Sequence, residues 1–123
     1  MSNKKVLIVD DSLYMRTIIK EALSNNGYQV IGEAVNGESA IDMAIELKPD
    51  LITLDNILPD MLGLDILRTL KDEGLLSKVI IISAVGQRSV VEEGIKLGAD
   101  DYIIKPFTTE KLIEVANRVY KNN

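Results

Sequence analysis

The sequence predicts a single α/β domain of the doubly wound (βα)5 class, with five parallel strands and five helices. Three observations lead to this prediction. The chain has 123 residues, a common size for one domain, and 46% of them are apolar. Short apolar runs alternate with longer amphipathic segments. Three of the runs are apolar without interruption, which is typical of strands buried on both faces of a parallel sheet.

The predicted strands are short and rich in β-branched residues. The second is the weakest in this respect and is expected to lie nearer an edge of the sheet. The strand assignments are residues 6–9, 28–31, 51–54, 79–82 and 102–104.

The segments between the strands carry apolar residues at helical spacing. Gly27, Gly74 and Gly98 lie just beyond the first, third and fourth of these helices and act as stop signals. Pro49 ends the second helix, because the residue before a proline is pushed out of the helical region. The fifth begins with an acidic first turn. The helix assignments are residues 12–25, 38–47, 64–71, 88–97 and 108–120.

Strict alternation with short loops implies right-handed crossovers and helices on both faces of the sheet. The sequence contains no linker or low-complexity tract, and the last helix runs almost to residue 123. We therefore expect one domain over residues 1–123 without an attached output domain.

Composition excludes several classes of function. The formal charge is −5 and the basic residues are scattered, so a nucleic-acid partner is not expected. No run approaches the roughly 20 apolar residues of a membrane span, and the N-terminus lacks the features of a signal peptide. The chain has no cysteine and no histidine, which suits a cytoplasmic location and excludes thiol and imidazole chemistry. Any chemistry must use carboxylates, hydroxyls, amines and the backbone.

Polar residues stand where the predicted strands end. Asp10 and Asp11 follow the first strand, Asp55 follows the third, Ser83 ends the fourth and Lys105 ends the fifth. The carboxyl ends of parallel strands lie along one edge of the sheet, where ligands of such folds bind. These five residues are therefore expected to meet in one crevice.

Three carboxylates in one crevice repel one another unless a cation joins them or one is protonated. Because only oxygen ligands are available, a hard cation is favoured, and Mg²⁺ fits well since it binds through a few carboxylates and leaves room for phosphate oxygens. Asp55 is then expected to act as a nucleophile toward a phosphoryl group. The metal, Lys105 and the Ser83 hydroxyl would stabilise the charge on that group.

The same residues resemble the motifs of response-regulator receiver domains, in order and spacing over essentially the whole chain. The resemblance implies the flavodoxin-like strand order 2-1-3-4-5. Residues 83–87 further resemble the CheY-like chemotaxis branch, whose members have no output domain. The matching segments are Val9-Asp10-Asp11-Ser12, Leu54-Asp55, Pro59-Asp60-Met61-Leu62-Gly63, Ser83-Ala84 and Lys105-Pro106-Phe107.

The resemblance also implies a metal set. Asp55 would be the phosphoacceptor. Asp11, Asp55 and the backbone carbonyl of Ile57 would bind Mg²⁺ directly, while Asp10 would act mainly through water. Lys105 would pair with the phosphate or the acids, and its bond to Pro106 is expected to be cis.

A switch and its partners follow from the same resemblance. Ser83 would move to the phosphate, and Tyr102 would turn inward behind it, as a shift between two packings. The face formed by the fourth helix, the fifth strand and the fifth helix would then bind a target, expected to be a flagellar switch protein. The phosphoryl donor would be a CheA-like sensor histidine kinase, and a phosphatase acting on the product would be a further partner. The protein is expected to be a monomer that catalyses only its own phosphorylation and dephosphorylation.

Other functions remain open at this point. Within the family, the alternative is a phosphorelay intermediate or another single-domain receiver with a target outside motility. A haloacid-dehalogenase-like phosphatase would carry a second aspartate at position 57, where this chain has Ile57. A flavin or nucleotide carrier would need a phosphate cradle where Asp10 and Asp11 stand. The intact acid set argues against a receiver that is not phosphorylated.

The chain departs from the family pattern at Asn56, Leu58 and Leu62. We expect Leu62 to leave the acceptor chemistry untouched and to alter docking of a partner or phosphatase near that loop. Ile57 and Val85 flank the acceptor and are apolar. We expect them not to position a hydrolytic water, so the phosphoryl group should be long-lived without a phosphatase. Three further acids are expected to be solvated loop charges: Asp60, Asp100 and Asp101.

Overall fold

The computed structural model describes residues 3–121, in which five strands alternate with five helices. Every element agrees in type with the sequence prediction. The elements are β1 (Lys5–Val9), α1 (Leu13–Ser24), β2 (Gln29–Ala34), α2 (Gly37–Leu47), β3 (Leu51–Leu54), α3 (Gly63–Asp72), β4 (Lys78–Ser83), α4 (Arg88–Lys96), β5 (Asp101–Ile104) and α5 (Thr109–Lys121).

The strands form one sheet in the order β2-β1-β3-β4-β5, and each neighbouring pair is parallel. This confirms the predicted fold class and strand order. The central strands are apolar on both faces because each face is covered by helices. In β1, Leu7 and Val9 pack with residues of α2 and α3, whereas Val6 and Ile8 pack with residues of α1 and α5. Two cores therefore lie on either side of the sheet.

The predicted end of β2 was wrong. The sequence assignment stopped at Ile31, before a glycine, but parallel pairing with β1 continues to Ala34. Pairing with a buried neighbour outweighs the low strand propensity of glycine at this position. The bounds of the other nine elements agree with the assignments to within one residue.

Local capping fixes the starts of the helices nearest to β1 and β2. The Ser12 side chain accepts a hydrogen bond from the Met15 amide (3.2 Å), and Asn36 accepts one from the Ser39 amide (2.8 Å).

Across residues 3–121, no helix is both long enough and apolar enough to cross a membrane.

Candidate functional site

Backbone pairing brings the ends of four strands to one edge of the sheet. The Asp55 amide donates to the carbonyl of Val9 (3.0 Å), so Asp55 leaves β3 beside the point where Asp10 leaves β1. In the same way, the Lys105 amide donates to the carbonyl of Ser83 (2.9 Å) at the ends of β5 and β4. The positions of these side chains thus follow from strand register.

Three carboxylates meet at this edge. Asp10, Asp11 and Asp55 each place one oxygen within 4.8 Å of the others. Asp10 is 1% exposed and Asp55 is 7% exposed, while Asp11 is open to solvent. Two desolvated carboxylates beside a third favour either protonation or a cation that joins them.

Lys105 supplies one positive charge to this cluster. Its ammonium lies 2.9 Å from Asp10 Oδ2 and 3.6 Å from Asp55 Oδ2. The structure therefore places Lys105 among the acids, where the sequence prediction expected it. Within this cluster, as far as residues 3–121 show it, one ammonium faces three carboxylates, which leaves an excess of negative charge. The bond between Lys105 and Pro106 is cis.

The balance of charge is visible at Asp55. Burial raises the pKa of its carboxyl group above the ordinary value, Lys105 opposes this rise, and Asp10 adds to it. The Ile57 amide, which donates to Asp55 Oδ1 at 3.4 Å, acts in the same direction as Lys105. The net shift is upward, so the ionised form of Asp55 is not fully compensated by the residues around it. A divalent cation would supply the missing charge.

The atoms present fit a hard cation. The ligands within reach are carboxylate oxygens, and the sequence has no histidine or cysteine. Such a set suits Mg²⁺, which takes a few carboxylates and keeps several waters. Ile57 lies two residues after Asp55 in the loop. Because its amide donates to Asp55 Oδ1, the backbone of Ile57 lies beside the acid cluster.

The two predicted switch residues share a backbone partner. Ser83 is fully buried, and its hydroxyl oxygen accepts a hydrogen bond from the Val85 amide at 3.2 Å. Tyr102 is half-buried, and its hydroxyl donates to the Val85 carbonyl. Both side chains therefore hold one residue of the loop between β4 and α4.

Three acids were expected to be solvated loop charges. Asp60 and Asp100 are exposed loop residues as expected, whereas Asp101 lies in β5 and is partly buried, and all three have partners that the sequence did not indicate. Asp60 accepts hydrogen bonds from two amides at the start of α2, Asp100 accepts one from the Val79 amide (2.8 Å), and Asp101 pairs with Arg118 (2.6 Å). Their partners lie far along the chain, so the local sequence gives no sign of them.

Sequence reasoning also missed two residues that brace the site. Arg16 donates to the carbonyl of Asp10 (2.9 Å) and to Glu33 of β2 (3.0 Å), so it ties the first acid to the sheet edge. The buried Asn56 accepts a hydrogen bond from the Leu64 amide (3.2 Å) through its side chain. The sequence offered two signals for these residues: an arginine about one turn after the acid pair, and an asparagine directly after the acceptor.

Comparison with known proteins gives the family. The sequence-family model of the response regulator receiver domain matches residues 6–117 of this chain. The chain is 43% identical over 118 residues to chemotaxis protein CheY of Thermotoga maritima, covering 96% of this chain and 98% of that one. It is 40% identical over 114 residues to CheY of Bacillus subtilis, covering 93% and 95%. The CheX-CheY-BeF3-Mg²⁺ complex of Borrelia burgdorferi has a chain that superposes with a TM-score of 0.92 at 29% identity, covering 95% of this chain and 89% of that one. The chain therefore belongs to the response regulator receiver domain family.

Proposed function

We propose that this protein is a stand-alone response regulator of two-component signalling that is phosphorylated on Asp55 with Mg²⁺ as cofactor. One observation carries the proposal: a buried aspartate at the end of β3 lies among two further acids and a lysine. CheY relatives of nearly the same length support a chemotaxis role, with a flagellar switch protein as the target and a CheA-like histidine kinase as the donor.

The chain's own residues account for the transfer. A carboxylate oxygen of Asp55 attacks the phosphorus of a phosphohistidine, a new P–O bond forms, and the P–N bond breaks with its electron pair returning to the histidine. This chain has no histidine, so the donor is another molecule. Lys105 stabilises negative charge on the transferring group. Mg²⁺, held directly by Asp11, Asp55 and the Ile57 carbonyl and mainly through water by Asp10, would neutralise charge on the phosphoryl oxygens.

Apolar side chains beside the acids offer a place for the donor to dock. Leu13 and Tyr14, which follow the acid pair, are 68% and 74% exposed, and Ile57 is 51% exposed. Exposed apolar groups around a polar site are typical of surfaces that bind another protein. We assign this rim to the domain that carries the phosphohistidine.

The switch follows from the shared partner of Ser83 and Tyr102. Phosphorylation adds a charge of about −1.5 to −2 and several acceptor oxygens at Asp55. Asp55 follows β3, and the neighbouring strand β4 ends at Ser83, whose hydroxyl is fully buried. When that hydroxyl turns to a phosphoryl oxygen, it releases the Val85 amide. The hydrogen bond from Tyr102 to the same residue then changes, which shifts the population of packings at α4 and β5. Ile95 and Ile104, both about half-exposed, would meet the target there.

The phosphoacceptor assignment predicts an adduct that depends on Asp55 and on Mg²⁺. We expect intact mass spectrometry to show one added phosphoryl group after incubation of the wild-type protein with acetyl phosphate and Mg²⁺. The adduct should be absent from Asp55→Asn and strongly reduced when Mg²⁺ is removed by a chelator. A control substitution of an acid outside the site, Asp42→Asn, should keep it. No adduct on the wild-type protein, or an adduct on Asp55→Asn, would overturn the assignment.

The chemotaxis role predicts binding that depends on this adduct. The phosphorylated wild-type protein should bind a flagellar switch protein, whereas Asp55→Asn treated in the same way should not.

The apolar residues beside the acceptor predict slow loss of the phosphoryl group. Neither Ile57 nor Val85 has a side chain that can hydrogen-bond a water positioned to attack phosphorus. We expect the phosphorylated protein to persist for minutes or longer without a phosphatase, and Ile57→Asn to shorten its lifetime. Release of inorganic phosphate from the purified protein measures this. A wild-type half-life of a few seconds would contradict the prediction.

A further inference from the structure

The loop between β3 and α3 forms a small closed structure next to the acceptor. Ile57 and Leu62 pair across it in an antiparallel bridge. At its base, the carbonyl of Asn56 accepts a hydrogen bond from the Gly63 amide at 2.7 Å. The base of the loop is thus fixed to β3 and α3, and Asp60 stands at its tip.

The tip is fastened to a different element. Asp60 Oδ1 accepts a hydrogen bond from the Gly37 amide (2.7 Å), and Asp60 Oδ2 accepts one from the Glu38 amide (3.0 Å). These amides belong to the first turn of α2, where the helix itself provides no acceptors. The side chain of Asn36, which caps α2 from its own segment, bonds to Ser39 further along. The first two amides of α2 are therefore left to Asp60.

Packing reinforces these hydrogen bonds. Met61 lies directly on Gly37, where a methyl group in place of the glycine hydrogen would overlap the methionine side chain. Helix α2 is itself anchored, because Ala40 and Ala44 are buried against the sheet. A carboxylate that accepts two amide hydrogen bonds forms charge-assisted contacts, which are stronger than neutral ones. The hydrogen bond from the Gly37 amide lowers the pKa of Asp60, so the group is ionised at neutral pH.

We propose that Asp60 is a positioning residue of the phosphoacceptor site, which fastens the loop after Asp55 to α2 and so fixes the backbone of Ile57. For the metal, this rests on the proposed function, in which the Ile57 carbonyl binds Mg²⁺. Without the fastening, the loop would be fixed at its base alone. Motion of the tip would then open the Ile57–Leu62 bridge more often, and each metal-binding event would have to order the Ile57 backbone again.

The experiment compares the wild-type protein with Asp60→Ala, Asp60→Asn and a control, Glu38→Gln. The control removes one negative charge from the same helix start and leaves the Glu38 amide in place. Calorimetric titration with MgCl₂ gives the affinity, and amide hydrogen exchange by NMR gives the order of the loop, with buried amides of β4 as the reference for global unfolding.

We expect Asp60→Ala to weaken Mg²⁺ binding about tenfold, the lower end of what outer-shell partners contribute. Exchange should accelerate at Gly37 and Glu38 and also across the loop, at Ile57 and Gly63. Asp60→Asn keeps one acceptor oxygen and should give smaller changes in the same amides. Glu38→Gln should change the affinity far less than either.

Two results would overturn the proposal. Faster exchange confined to Gly37 and Glu38, with loop exchange and Mg²⁺ affinity unchanged, would make Asp60 a helix cap and nothing more. An equal loss of Mg²⁺ affinity in Glu38→Gln would mean that Asp60 affects the metal only through its negative charge. If the wild-type protein fails to bind Mg²⁺ while loop exchange responds as expected, the proposed function fails, but the fastening of the loop by Asp60 is supported.

Discussion

Replacing Lys105 with methionine is expected to lower the free energy of unfolding of the metal-free protein by about 3 kcal/mol at neutral pH. The ammonium lies close to two carboxylates that are almost fully buried, at 2.9 Å from Asp10 and 3.6 Å from Asp55. Methionine keeps most of the apolar stem of the lysine, so the loss comes mainly from unpaired charge. Urea unfolding followed by circular dichroism measures the difference.

Mg²⁺ and pH should both change the size of this effect. Added Mg²⁺ should stabilise Lys105→Met more than the wild-type protein, because in the variant the metal has no ammonium to compete with. Lys105 also opposes the rise in the pKa of Asp55 that burial causes, so the variant should have a still higher pKa at this residue. An acid whose pKa is raised in the folded state lowers stability at pH values above that pKa. This cost disappears as the pH falls to the pKa that the acid has in the unfolded state. The difference in free energy of unfolding between the wild-type protein and Lys105→Met should therefore become smaller on acidification.

A lysine at the surface provides the control. Lys20 pairs with Glu33 at 3.3 Å, but its side chain is 53% exposed. We expect Lys20→Met to change the free energy of unfolding by no more than about 0.5 kcal/mol, as is usual for exposed ion pairs. If Lys105→Met proved as mild as this control, the buried acids would not depend on the ammonium for their charge balance.

The parts of the molecule that the sequence predicts well are those set by local pattern and by sheet topology. Val6 and Ile8 face one core and Leu7 and Val9 the other, so an uninterrupted apolar run marks a strand with helices on both sides. Once the strands are parallel, residues at their carboxyl ends must lie along one edge. For this reason the sequence alone predicts that Asp10 lies near an acid 45 residues further along the chain.

The parts that escaped prediction depend on contacts between distant segments. Asp60 meets amides more than twenty positions earlier in the chain, and Arg16 reaches across to Glu33 on the edge strand. An exposed carboxylate in a loop has the same local sequence whether it is solvated or bonded to a helix start. The extension of β2 to Ala34 likewise depends on its neighbour β1 rather than on its own residues.

Gly63→Ala is expected to impair both the fold and the phosphorylation of Asp55. A Cβ atom at position 63 would lie 2.5 Å from the carbonyl oxygen of Asp55 and 2.8 Å from the Cα of Asn56. Both are backbone atoms, so the start of α3 and the end of β3 must move apart. We expect a loss of about 3 kcal/mol in the free energy of unfolding, at the upper end for overpacking.

The same displacement should reach the acceptor, because the Asp55 carbonyl and carboxylate belong to one residue. A shift of about 1 Å in a reacting group lowers rates by about a hundredfold, and we expect that loss in phosphorylation by acetyl phosphate. Gly27→Ala separates this effect from instability: Gly27 has a φ of 89°, which strains alanine, and no atom of residues 3–121 beyond Gly27 and its chain neighbours lies within 4 Å of its added Cβ. It should cost about 1 kcal/mol and leave the phosphorylation rate unchanged. A normal rate in folded Gly63→Ala would mean that the acceptor tolerates movement of its own backbone, and that close packing against Gly63 serves only the stability of the fold.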